Sequence, residues 1–199
     1  MDTRKNIRRL YKDIDGHIDL GQKEKEKIRI ARSSAVYGEI TPAAAEKLIE
    51  YINFKPKDVF YDLGSGVGKL IIQAALLGGP KKLVGIELSS SRHKMAQTVL
   101  KQAQEEKLLK AKNVEFICGD ILKRSLDEAT VIYTCSTAFP GPFFNKVVNR
   151  IAQLKPGTLF ISLDEAKPNK RLEAVDVLRL DMTWKRRSPV YVYRVVKSQ

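Results

Sequence analysis

Asp62, Glu87 and Asp120 each close a short apolar run, and Asp62 opens the segment Asp62-Leu63-Gly64-Ser65-Gly66-Val67-Gly68-Lys69. A glycine-rich turn between a strand and a helix lets a ligand approach the backbone at the helix N-terminus, where N–H groups lack partners. The pattern is an acid followed by Gly-x-Gly-x-Gly, and it differs from the Gly-x-Gly-x-x-Gly turn that cradles a dinucleotide pyrophosphate. An acid at the strand end suits a cation-bearing ligand such as a methionine ammonium. Glu87 follows roughly twenty residues past the turn, where a carboxylate can accept hydrogen bonds from both hydroxyls of a ribose. After the third run Asp120 can accept from an adenine amino group, and Ile121 offers an apolar face beside it. Ligands of open α/β sheets bind outside the carboxyl ends of the strands, where these acids fall. The expected cofactor is S-adenosylmethionine, held by Asp62, Gly64, Ser65, Gly66, Gly68, Glu87, Asp120 and Ile121.

The elements that must position these residues alternate along the chain. Strands are expected at Val59 to Leu63, Leu83 to Leu88, Val114 to Cys118, Thr130 to Cys135 and Thr158 to Leu163. Helices are expected from Pro42 to about Ile52, with Thr41 as cap, from Lys69 to Leu77, from Ser90 to Leu109 with Ser90 or Ser91 as cap, and from Phe143 to Leu154. Leu178 to Trp184 and Val190 to Val196 then read as two strands around the turn residues Arg187-Ser188-Pro189. Such a series predicts an α/β fold of the Rossmann-like kind: seven strands, mostly parallel, helices on both faces and an antiparallel C-terminal hairpin. Residues 1–35, charge-rich and broken by Asp15-Gly16, are expected to form a basic helical extension, and residues 36–199 the main domain.

Thirty-six Lys and Arg against twenty-three Asp and Glu leave a formal charge of +13, which favours an anionic partner such as nucleic acid, a nucleoprotein or an acidic protein face. Met1 to Lys12 is charged throughout and no apolar run approaches a bilayer's thickness, so an intracellular, cytoplasmic protein without membrane contact is expected. Cys118 and Cys135 lie in apolar strand segments, as buried free thiols of a reducing compartment do. His17 and His93 are far apart in sequence and imply no metal.

Val36-Tyr37-Gly38-Glu39 before the first core helix, together with Asp62-Leu63-Gly64-Ser65-Gly66-Val67-Gly68, resembles the Dot1 histone lysine methyltransferases and their small bacterial and archaeal relatives. The resemblance runs from about Val36 to the end. It implies methyl transfer from S-adenosylmethionine to a lysine of a protein substrate, with the Tyr-Gly-Glu loop folded over the cofactor so that Tyr37 and Glu39 face it. Trp184 and the segment Pro189-Val190-Tyr191-Val192-Tyr193 are similar to the family's Trp-to-Tyr segment lining the lysine channel, the tyrosine being Tyr191 or Tyr193 according to register. The family's Asn pair and Phe-Ala-Phe correspond to Cys135-Ser136-Thr137-Ala138-Phe139 here, its aromatic after the third-strand acid is Ile121, and the threonine of its Tyr-Gly-Glu loop is Ile40 or Thr41.

Methyl transfer needs a deprotonated amine, and a lysine with a pKa of about 10.4 must be desolvated to supply it. A narrow aromatic channel of Trp184 with Tyr191 or Tyr193 would serve, since alternation puts both tyrosines on one strand face. Two other readings compete. Thr134-Cys135-Ser136 is similar to the nucleophile segment of RNA cytosine-5 methyltransferases, which makes Cys135 a candidate nucleophile on nucleic acid, although no Pro-Cys dipeptide is present. The absent Asn pair is also compatible with a non-catalytic scaffold that retains the cofactor.

Overall fold

The computed structural model describes residues 2–197, so Met1, Ser198 and Gln199, at the outer ends of the two expected regions, lie outside it. A seven-stranded sheet runs through it in the order β3-β2-β1-β4-β5-β7-β6. The strands are β1 (Val59–Leu63), β2 (Lys82–Glu87), β3 (Val114–Cys118), β4 (Val131–Thr134), β5 (Leu159–Ser162), β6 (Leu172–Leu180) and β7 (Ser188–Val195). The first five are parallel, and β7 pairs antiparallel with both β5 and β6. This is the expected mostly parallel sheet with an antiparallel hairpin at its edge. The helices are α1 (Thr3–Leu10), α2 (Gln22–Ile30), α3 (Pro42–Ile52), α4 (Lys69–Leu77), α5 (Ser90–Glu105) and α6 (Gly141–Ile151).

Period-2 alternation divides the buried side chains between two cores. Phe60, Leu83, Tyr133, Val190 and Val192 face one side with residues of α1, α3, α4 and α5. Tyr61, Leu63, Ile86, Ile132, Tyr193 and Val195 face the other, against Phe143, Phe144, Val147, Val148 and Ile151 of α6. The α6 set recurs every three or four residues, the helical spacing that aims one stripe at a sheet. Thr41 caps α3 by accepting from Ala44 N at 3.3 Å, and Pro42 occupies the first helical position. The cap of α5 is Ser89, one residue before the expected serines, and it accepts from Arg92 N at 3.2 Å.

Two expectations about elements need correction. The strand expected at Leu178 to Trp184 is β6 at Leu172–Leu180, and Trp184 lies in the connection to β7. A bulge between Ala174 and Asp176 interrupts the alternation, and as an edge strand β6 is largely exposed, so no clean apolar period marks it. Residues 2–35 carry two helices, α1 and α2, yet Ile7, Leu10 and Tyr11 are buried in the same core as α3, α4 and α5. The extension is thus built into the domain. Arg9 pairs with Glu106 beyond α5, and Arg4 with the half-buried Glu46 of α3.

Burial of α1 predicts a stability effect. Leu10→Ala should destabilise the protein by about 3 kcal/mol in urea unfolding, the scale of a buried leucine truncated in a packed core. A loss below about 0.5 kcal/mol would make α1 a detachable appendage.

Candidate active site

β1 and β2 run in register with Asp62 opposite Gly85 and Leu63 opposite Ile86, so both strands end at one edge of the sheet. The chain leaving β1 is turned at once: Gly64 N and Ser65 N both donate to Ile86 O, at 2.8 and 3.1 Å. Gly66 has φ of +55° and faces the ring of Tyr37, 2.5 Å from where its Cβ would stand. A side chain there would have both a strained backbone and no room. Glu87 reaches back from the end of β2 and accepts from Gly66 N at 2.9 Å and from Ser89 N at 2.7 Å. One buried carboxylate thereby joins the glycine turn to the start of α5. Burial raises its pKa, against the lowering effect of those N–H groups and of Arg92.

Asp62 is also buried, and desolvation followed by the neighbouring Glu87 pushes its carboxyl up to about 8. At neutral pH it is therefore largely neutral. Ser65 Oγ is buried beside it without a hydrogen-bond partner. Asp120, past the end of β3, accepts from Leu122 N at 2.8 Å through Oδ1.

These strand ends open onto a cleft of about 340 Å³ whose lining includes Gly64, Glu87, Asp120, Ile121, Phe139 and Trp184. Asp62, Ser65, Gly66, Glu39 and Lys69 line a smaller recess, which shares Tyr37, Gly38, Gly64 and Cys135 with the cleft. The Tyr-Gly-Glu loop covers this junction. Tyr37 hydroxyl donates to the Glu39 carboxylate, which also takes the Lys69 ammonium, and Lys69 in turn stands 5.1 Å from the centre of the Tyr11 ring. Tyr11 itself donates to Val67 O at 3.1 Å, so the N-terminal segment props the glycine turn from behind.

The loop is fixed by pairing with the β6–β7 connection. Thr41 N donates to Asp181 O at 3.0 Å and Thr183 N to Glu39 O at 2.8 Å, with an antiparallel bridge between Ile40 and Met182. This short ladder lays the Trp184 ring on Gly38, where any Cβ would collide with it. Trp184 therefore lines the cleft from a loop.

Three of the expected site residues do other work. Tyr191 and Tyr193 line neither the cleft nor the recess. They do share a strand face, but it is the α6 face: Tyr193 stacks on Phe160 with centroids 5.9 Å apart and accepts from Ala166 N at 2.9 Å, and Tyr191 packs against the same core. Val190 and Val192 take the opposite face, in the core shared with α3 and α4. Gly68, at φ +81°, is turned toward Phe116 and Ala96, so it closes helix-to-strand packing and touches neither cavity.

Cys135 does line the cleft, with Sγ 3.7 Å from Gly38 O. Burial, then the adjacent Asp62, pushes its thiol up to about 12, so it is protonated at neutral pH and is no thiolate nucleophile. Ser136, where the resemblance has the second Asn, accepts from Asp164 N at 2.9 Å and holds the end of β5. Residues that sequence patterning did not single out complete the cleft: Arg92, Phe139 and Phe143, with Ile28, Ser33 and Ser34 of the N-terminal segment. Only the length of the apolar stripe on α6 pointed toward Phe143. Nothing local marked Arg92.

The family model for the histone methylation protein DOT1 matches residues 22–187. The chain belongs to the DOT1 family. The match begins in α2, inside the segment expected to be an extension. A histone H3 lysine-79 specific N-methyltransferase of Caenorhabditis elegans is 34% identical over 148 residues, 70% of this chain, and the chain spans only 16% of that relative's length. Among solved structures, an RNA methyltransferase of Salinibacter ruber in complex with S-adenosyl-L-homocysteine is 29% identical with a TM-score of 0.57, covering 79% of this chain and 93% of that one. Magnesium protoporphyrin IX methyltransferase of Synechocystis shares the fold at 13% identity, with a TM-score of 0.60 over 98% of both chains.

The Asp62 environment has a pH signature. Its folded pKa is raised from 3.8 to about 8, so between those values the native protein keeps a proton that the unfolded chain has released. The unfolded state then binds fewer protons, and stability falls as pH rises through the window. Asp62→Asn removes that slope, so its melting temperature should gain on wild type steadily from about pH 5 to pH 8. Parallel curves for the two proteins would mean that Asp62 is an ionised, paired carboxylate.

Proposed function

We propose that this DOT1-family chain is an S-adenosylmethionine-dependent methyltransferase that methylates lysine side chains of a protein substrate. The observation that carries the reading is the convergence of the glycine turn, Glu87, Asp120 and the Tyr37-Gly38-Glu39 loop on one cleft at the strand ends. The cleft fits the cofactor's chemistry. Its volume lies in the usual range for small-molecule sites, about 300–1,000 Å³. Gly66 presents bare backbone, Ser65 Oγ is free to bond, and Asp62 is a buried carboxyl without a cation. S-adenosylmethionine supplies a methyl group on a positively charged sulfur.

Each residue then has a defined task. Asp62 and Ser65 hold the methionine end, Glu87 takes the ribose hydroxyls, and Asp120 with Ile121 holds the base. Tyr37 and Glu39 close over the site, braced by Lys69 and Arg92. Trp184, Phe139 and Cys135 form the wall of the substrate side of the cleft. Excluding water there lowers the pKa of an incoming amine and holds it in line, so no base or nucleophile from the protein is required. The +13 charge supports contact of the basic surface with nucleic acid or nucleoprotein near the substrate. A cytoplasmic setting belongs to the same reading, supported by the free thiols Cys118 and Cys135.

Two measurements test the cofactor site. In calorimetry Gly66→Arg should abolish S-adenosylmethionine binding, and Glu87→Ala should weaken it by about 1.5–3 kcal/mol, the scale of hydrogen bonds to a charged group. Unchanged affinity in Gly66→Arg would remove the site altogether. The substrate class is tested with labelled cofactor and a mixture of protein and RNA. Label should enter protein, persist in Cys135→Ser and Tyr191→Phe, and fall about tenfold or more in Trp184→Ala with cofactor affinity intact. Label entering RNA and lost with Cys135→Ser would replace the lysine assignment by the covalent reading.

A further inference from the structure

Away from the strand-end acids, a set of buried polar contacts joins the N-terminus of α5 to residues 16–38. Arg92, only 5% exposed, donates from Nε to Gly16 O at 3.0 Å and from Nη2 to Ala35 O at 2.9 Å. Its guanidinium carbon also stands 4.5 Å from the centre of the Tyr37 ring. Glu24, on α2 and 9% exposed, accepts from Ser91 N at 2.8 Å, Ser91 Oγ at 2.6 Å and Ser89 Oγ at 2.5 Å. Unpaired N–H groups and the helix dipole both favour a carboxylate at this position, so α2 supplies a cap to a helix far away in sequence.

Burying an arginine and a glutamate costs stability unless each is fully bonded, whereas the exposed pair of Arg29 with Glu26 lies within α2 and fastens the helix to nothing. The two buried groups fix a position. Ile28, Ser33, Ser34, Val36 and Tyr37 of the fastened segment line the cleft that Glu87 and Asp120 also line. Ser89 connects the two halves: its N–H donates to Glu87, and its hydroxyl donates to Glu24.

Resting on the methyltransferase reading, we propose that Arg92 and Glu24 are positioning residues that fasten residues 16–38 to the N-terminus of α5 as a wall shared by cofactor and substrate amine. Through Ser89 the docking of α2 and the occupation of Glu87 favour one another, and that coupling is reciprocal. The segment is thus a working part of the site in a chain whose sequence marks it only as charged and helical.

Trp184 is the one tryptophan of the chain and rests on Gly38, at the end of the fastened segment, so its emission reports docking without an added label. The variants are Arg92→Gln, Arg92→Lys and Glu24→Gln, with Glu26→Ala on the exposed face of α2 as control. In ligand-free protein Arg92→Gln and Glu24→Gln should shift the emission to the red and admit trypsin at Arg29 or Arg32, with a cooperative melt retained. Their affinity for S-adenosylhomocysteine should fall about tenfold, the effect of losing one charged hydrogen bond. Arg92→Lys keeps the charge but lacks the planar fork, so it should restore neither readout. Should Arg92→Gln fail to fold, Glu24→Gln, on α2 outside the sheet, decides the matter alone. Wild-type emission, protease resistance and affinity in a folded Glu24→Gln would overturn the proposal. Failure of the wild-type protein to bind S-adenosylhomocysteine would defeat the cofactor reading, while the ligand-free emission and proteolysis would still decide the fastening.

Discussion

Two buried carboxyl groups, Asp62 and Glu87, sit at the ends of adjacent parallel strands, where burial and then the charge of Glu87 raise the cost of ionising Asp62. Glu87 is compensated by the N–H groups of Gly66 and Ser89, which fixes the glycine turn and the first residues of α5 relative to the sheet. Asp62 has no such donors among the described residues, and its carboxyl is pushed up to about 8. Much of the surrounding structure follows from holding this pair in place. Tyr11 braces the turn at Val67, Thr134 donates to Leu63 O at 2.9 Å, and the Tyr37–Glu39–Lys69 group closes over the recess.

The cover over the site is assembled from pieces distant in sequence, each fixed by ordinary backbone pairing or capping. The Tyr-Gly-Glu loop is a miniature strand partner of the β6–β7 connection, through Thr41 with Asp181 and Glu39 with Thr183. The N-terminal segment is docked by α1 in the core and by Glu24 on α5. A cover of this kind is made of short elements with little apolar area, so its placement depends on a few directed bonds. That gives a physical reason for burying charged groups there in spite of their desolvation.

Chemistry at the site is shaped by what burial does to the groups exposed to it. Cys135, read from its neighbours in sequence as a possible nucleophile, sits beside Asp62 at the edge of the recess and keeps its proton. Its contribution is volume and a weak contact to Gly38 O. Ser136 secures Asp164, so the stretch that departs from the family's Asn pair is an ordered turn after β4 and no gap in the wall.

The sequence by itself determined the order of strands and helices, the glycine turn and the acids at three strand ends. These are local properties: short apolar runs that are buried as strands, positive φ at Gly64 and Gly66, and a carboxylate beside the end of a run. It also determined that Tyr191 and Tyr193 share one face, which period-2 geometry guarantees. Only the tertiary structure decided which face, because that depends on pairing β7 between β5 and β6, and it turned both tyrosines toward α6. The same holds for β6, whose bulge hides its period, for the N-terminal segment, whose place in the core is invisible in its charge, and for Arg92, whose partners lie 57 and 76 residues away. Side-chain periodicity is written along the chain, whereas burial and partnership are set by what the rest of the fold brings alongside.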